Sequence, residues 1–132
     1  MDTGKSTEMS GMLAFLQHTL KDSCCPALLC DFSGILTWCN QALADLIVFP
    51  DIFSLIGISI RALFPTSELD HLNEEIFPLA IEDIWSGEAI LRRADGQTII
   101  CNMSVQNICS DDDAQLLVQF FQKKSSLQIS SE

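Results

Sequence analysis

The sequence predicts an α+β fold: a five-stranded antiparallel sheet with helices on one face and an N-terminal amphipathic helix ahead of it. Three observations lead there. Two short apolar segments near the start, residues 27–30 and 35–39, flank a turn. Three more strand segments follow near the end. In one of these Ile99, Cys101, Met103 and Val105 alternate with Ile100, Asn102, Ser104 and Gln106, the period-2 pattern of a half-buried strand. Helical segments lie between the two groups, and they must cover one sheet face or leave it apolar and bare.

Taken in order, Met9, Met12, Leu13, Leu16 and Leu20 recur at helical spacing, with Phe15 beside them, and predict a helix over 9–22. Pro26 disfavours helix at Cys25 and ends it. Ala27 to Cys30 forms a strand, Asp31-Phe32-Ser33-Gly34 a turn, and Ile35 to Cys39 the returning strand. Asn40 is a good N-cap for a helix through Ile47. Phe49-Pro50-Asp51 breaks that helix, and 52–65 is apolar but irregular. Ser67 is placed to cap the next helix, with Asp70 three residues on. Its apolar stripe is Leu69, Leu72, Ile76 and Leu79, and Pro78 is expected to break or kink it. Trp85-Ser86-Gly87-Glu88 leads into a strand from Ala89 to Arg93. Asp95-Gly96 is a hairpin signal. Ser110 to Asp113 reads as a solvated turn, since the Gly and later Glu of a calcium loop are missing. Leu116 to Phe121 is the last strand, and 123–132 is a polar tail.

A chain of 132 residues is one domain's worth, and 48% hydrophobic content supplies a core. No apolar run is long enough to span a bilayer, and the polar start is not a secretory signal, so a cytoplasmic protein is expected. Seven basic against 18 acidic residues give a net charge of −11. That argues against nucleic acid and anionic membranes as partners, which need a basic face. Without a secretory signal, the six cysteines, Cys24, Cys25, Cys30, Cys39, Cys101 and Cys109, read as reduced thiols, and they lack the paired spacing of a zinc site. Cys39 and Cys101 fall inside strand patterns and read as small core residues. No nucleophile and base pair off, and no glycine-rich phosphate loop occurs, so no enzyme is expected.

Four stretches, in this order, resemble a PAS domain over about residues 23–122. They are Asp31-Phe32-Ser33-Gly34-Ile35-Leu36-Thr37-Trp38-Cys39-Asn40-Gln41-Ala42, then Leu55-Ile56-Gly57 through Leu63-Phe64-Pro65, then Trp85-Ser86-Gly87-Glu88 with Arg93-Ala94-Asp95-Gly96, and the closing pair of strands. Residues 1–22 are then a flanking helix and 123–132 a tail. The acidic-threonine motif that often follows the last strand in the family is replaced by Gln122-Lys123-Lys124.

The resemblance implies a sensory domain in signal transduction, binding a small ligand or partner and relaying the change through a dimer. A ligand would lie between sheet and helices, against Cys39, Phe53, Ile60, Leu63, Ile76, Leu79, Leu91, Ile99, Cys101, Met103 and Val118. The alternatives are a constitutive dimerisation module with a filled core, or a thiol redox sensor using Cys24 and Cys25. The flanking helix must bury its stripe, and a homodimer contact through Met12, Leu13, Leu16 and Leu20 does so most simply. A signalling output domain or protein is a further expected partner. The residues argue against the family's cofactors. The Asn-Cys-Arg triplet of flavin photosensors and the Trp of flavin-redox members are missing, which disfavours flavin. Haem would use a histidine, but Glu68 and Glu75 place His71 on the acidic helix face.

Overall fold

The structure, a computed structural model, describes residues 15–108 and 115–122. The predicted stripe residues Met9, Met12 and Leu13, the turn at 110–113, Cys109 and the tail lie outside them. The strands are β1 (Ala27–Asp31), β2 (Leu36–Cys39), β3 (Ile84–Arg92), β4 (Thr98–Asn107) and β5 (Gln115–Gln122). They form one antiparallel sheet in the order β2-β1-β5-β4-β3, so the first and last strands are neighbours at its centre. The helices are α1 (15–21), α2 (Gln41–Leu46), α3 (Leu69–His71) and α4 (Phe77–Glu82), with single 3-10 turns at Ile52–Ser54, Ile60–Leu63 and Thr66–Glu68.

The predicted turns form for local reasons. The Asp31 carboxylate accepts from the amides of Ser33 (2.9 Å) and Ile35 (3.0 Å), and Gly34 takes φ +93, which L side chains rarely adopt. Asp95 accepts from the Gln97 amide (3.0 Å) and from Arg93 (2.7 Å). These bonds, the Gln97 amide foremost, hold its carboxyl below the usual carboxylate value.

The β4 alternation is as the sequence predicts. Cys101, Met103 and Val105 are buried, while Ile100, Asn102 and Gln106 are exposed. Across the register Met103 faces Phe120 and Gly87, and Val105 faces Val118 and Trp85. These side chains meet Leu43, Ile60, Leu63, Leu72, Ile76 and Ala80 from the helical side to make one core. Ala27, Leu29 and Leu117 point to the other sheet face and are buried there as well.

Four sequence expectations are corrected. First, β3 starts at Ile84, not Ala89, because the Trp85 to Glu88 stretch is already paired with β4. Second, Ser67 does not cap the third helix. That helix begins through a 3-10 turn after Pro65, with no side-chain cap.

Third, Pro78 does not break the helix. Leu72–Ile76 forms a π-turn between α3 and α4, and Pro78 sits in the first turn of α4, where no amide donor is required of it. A π-turn holds one extra residue, so the apolar phase moves by one position. Phe77 and Ala80 are buried, and Leu79, a predicted pocket residue, is 49% exposed. Fourth, Phe53 is 80% exposed, so it too leaves the predicted pocket. Asp51 caps the single turn Ile52–Ser54 through the Ser54 amide (2.9 Å), and that turn sends Phe53 outward while Leu55 goes in.

Candidate functional site

Nine of the eleven predicted pocket residues meet in one layer between sheet and helices. Cys39, Ile60, Leu63, Ile76, Leu91, Cys101, Met103 and Val118 are buried in the core, and Ile99 packs against it. Phe53 and Leu79 do not join them.

The layer is apolar, and burial keeps its thiols neutral. Burial pushes the Cys30 thiol up to about 12, with Asp31 adding to the effect, and raises Cys39 and Cys101 to about 11 each. An unfolded chain releases these protons near 9. Above that pH the unfolded state therefore binds fewer protons than the folded state. The stability these thiols contribute is complete below pH 9 and is lost as pH rises toward 11–12. Urea midpoints should fall between about pH 8 and pH 10.5, and the fall should shrink in a Cys30→Val, Cys39→Val variant.

At one end of this layer lies an open groove of ≈ 920 Å³. The end of α1 and the turn after it form one wall, with Lys21, Cys24 and Cys25. Leu46 of α2 forms another, and the strand ends supply Cys101, Phe120 and Phe121. Cys101 and Phe120 belong both to the core and to the lining of the groove. Cys24 is exposed. Cys25 is half-buried, and its Sγ–H points at the Phe120 carbonyl, 3.5 Å away. Burial raises the Cys25 thiol, and the Phe120 bond offsets part of that. The sequence marked the two cysteines but not the groove, because its walls come from four separate elements.

Asn40 ties this region together, and sequence reasoning saw only its capping role. It is 2% exposed. Its Oδ1 accepts from the amides of Leu43 and Ala27, both at 3.1 Å. Its Nδ2 donates to the carbonyls of Leu20 (2.8 Å) and Cys25 (2.9 Å). One amide thus holds α1, the groove wall, β1 and α2.

His71 is a surface residue. Its Nδ1 lies 3.1 Å from a Glu75 carboxylate oxygen, and its ring meets Trp85 edge-on at 6.0 Å. Arg61 is a second hub. Its Nε donates to Asn73 Oδ1 (2.7 Å), its Nη1 donates to the Ser33 carbonyl (2.8 Å), and its guanidinium lies 5.2 Å from the Phe77 ring centre. A Cβ on Gly34 would sit 2.7 Å from that Nη1, a second reason for glycine there. Of the predicted dimer residues, Leu16 and Leu20 are half-buried on α1. Exposed apolar side chains also stand on the sheet face away from α2–α4: Ile84, Ile100 and Phe121, each about half exposed. No helix among the described residues is long and apolar enough to cross a membrane.

No family model and no curated protein matches the sequence. Solved structures do match the fold. A PAS domain from Colwellia psychrerythraea is similar at TM-score 0.73 and 15% identity, over 86% of this chain and 98% of that one. The PAS domain of a LuxR-family transcriptional regulator from Burkholderia thailandensis, solved in complex with ethanol, is similar at TM-score 0.69 and 22% identity, over 82% and 96%. The PAS domain of the fruit-fly ELK potassium channel is similar at TM-score 0.68 and 12% identity, over 84% and 96%.

Proposed function

Because the chain has the PAS fold, we propose that it is a non-enzymatic sensory module that binds a compact, apolar small molecule and passes the change on through a homodimer. The observation that carries this reading is the groove ending at Cys101. It shares Cys101 and Phe120 with the apolar layer, and its walls include the segments by which the chain runs into and out of the sheet: Lys21 to Pro26, and Phe120 with Phe121. A molecule seated there bears on both flanks at once. The ethanol complex of one structural neighbour supports a ligand of small size. The dimer contact is the stripe of Met12, Leu13, Leu16 and Leu20, extended by the open sheet face around Ile100 and Phe121. An attached or separate signalling protein receives the output.

Native mass spectrometry and light scattering on the purified chain test this directly. A dimer with a mass-shifted, ligand-bearing species is expected. Ile100→Glu, at an exposed position, should stay folded and weaken the dimer. A clean apo monomer at high micromolar concentration would sink the proposal. A second reading, a constitutive dimerisation module, is favoured by the way the nine converging residues fill their layer. A dimer at apo mass would select it.

A further inference from the structure

The groove is larger than the molecule proposed for it. At ≈ 920 Å³ it stands near the upper end of the range for pockets that hold drug-sized ligands, whereas the reading above calls for a compact one. Its walls are apolar at Pro26, Leu46 and Phe120 and carry two exposed carboxylates, Asp22 and Asp45. Asp45 accepts from the Gln41 side chain at 3.0 Å. Lys21 is the single basic residue of the lining, so the groove keeps a net negative charge.

The chain itself carries a segment of matching chemistry. β5 lines the groove with Phe120 and Phe121, and its last residue, Gln122, lies opposite Cys101 of the same lining. The chain therefore leaves the sheet at the groove. The next two residues are Lys123 and Lys124, two of only seven basic residues in a chain of net charge −11. Leu127 and Ile129 follow, two positions apart, which sets both on one side of an extended segment. Residues 1–14 are a poorer match. They join the far end of α1 (15–21), roughly 10 Å from the groove at 1.5 Å per residue, and carry Asp2 and Glu8 against Lys5.

We propose that residues 123–132 fold back into this groove and compete with the ligand there. Lys123 and Lys124 pair with Asp22 and Asp45, and Leu127 and Ile129 lie against the apolar wall. A segment on so short a tether acts at about millimolar effective concentration. Even a weak contact, with a Kd of about 0.1 mM for the free segment, would keep the groove about nine-tenths closed and weaken a ligand about tenfold. As regulation of the groove, the device rests on the function proposed above. Its test needs no ligand, so the two can fail separately.

The test is alkylation of the folded full chain by iodoacetamide, read site by site by peptide mass spectrometry. Cys24 and Cys25 report the groove wall, and buried Cys39 reports general loosening of the fold. In Lys123→Glu, Lys124→Glu, Leu127→Ser, Ile129→Ser, alkylation of Cys24 and Cys25 should quicken several-fold with Cys39 unchanged. Charge alone acts the other way, because exchanging nearby lysines for carboxylates disfavours the reactive thiolate. Unchanged or slower alkylation at Cys24 and Cys25 would overturn the proposal. Should Cys39 quicken as well, carbodiimide coupling of the wild-type chain decides, in an equal mixture of ¹⁵N-labelled and unlabelled protein. Amide links from Lys123 or Lys124 to Asp22 or Asp45 within one chain support the contact. No such link, or links only between chains, would refute it.

Discussion

Asn40→Ala should be among the most damaging single substitutions in the chain, costing about 4 kcal/mol. The amide uses both acceptor and both donor capacities, on Leu43, Ala27, Leu20 and Cys25. Losing a helix N-cap alone costs about 1 kcal/mol, and each buried backbone group left without its partner adds about 1–3 kcal/mol. The Leu43 amide keeps a weaker bond to the Asn40 carbonyl at 3.2 Å, so the penalties do not add in full. Asn40→Asp separates the two roles. It keeps the oxygen that accepts from Leu43 and Ala27 but sets a charged oxygen against the Leu20 and Cys25 carbonyls, so at neutral pH it should be at least as damaging as Asn40→Ala. Urea melts measure the order. Equal midpoints for Asn40→Asp and wild type would show that the bonds to Leu20 and Cys25 contribute nothing.

Met103→Asp should unfold the domain, whereas Asn102→Asp, one residue away, should change stability by less than about 0.5 kcal/mol. Met103 is 1% exposed and lies opposite Phe120 and Gly87 on the core face. A carboxylate there meets only apolar neighbours, and burying a polar group without a partner costs several kcal/mol. Asn102 is exposed on the opposite face. Similar thermal melts for the two variants would mean that β4 is shifted by one residue.

These two positions mark how far the sequence could be read. The faces of β4 were legible because strict alternation has one solution on a sheet. The capping role of Asn40 was legible because it depends on residues within three positions. Its bonds to Leu20 and Cys25 were not, since they arise only when the chain ahead of β1 folds back beside α2. The helix carrying Leu79 was misread for another reason. Its spacing fits an unbroken α-helix, and nothing local states that Pro78 is accommodated by a π-turn rather than a break. Phe53 lay in a stretch with no period at all, so its direction was set by a single capped turn. Of the candidate site, the strand residues were found and the groove was not. Strand residues announce themselves by period, while a groove built from four elements leaves no pattern in any one of them.

The central place of β1 bears on the order in which the molecule can assemble. β1 lies between β2 and β5, and Ala27, Leu28, Leu29 and Cys30 are all buried, two to each face. Its hairpin partner β2 is available a few residues later, but β5 begins at Gln115. A chain emerging from the ribosome must therefore carry β1 with one edge open until residues 115–122 have been made. Closing so long a loop comes before any reward from the pairing, which slows the final step and leaves apolar strand exposed meanwhile. The sheet is completed only once Gln115–Gln122 has been synthesised. A chain stopped short of Gln115 has a hairpin at one end, a hairpin at the other, and nothing to join them.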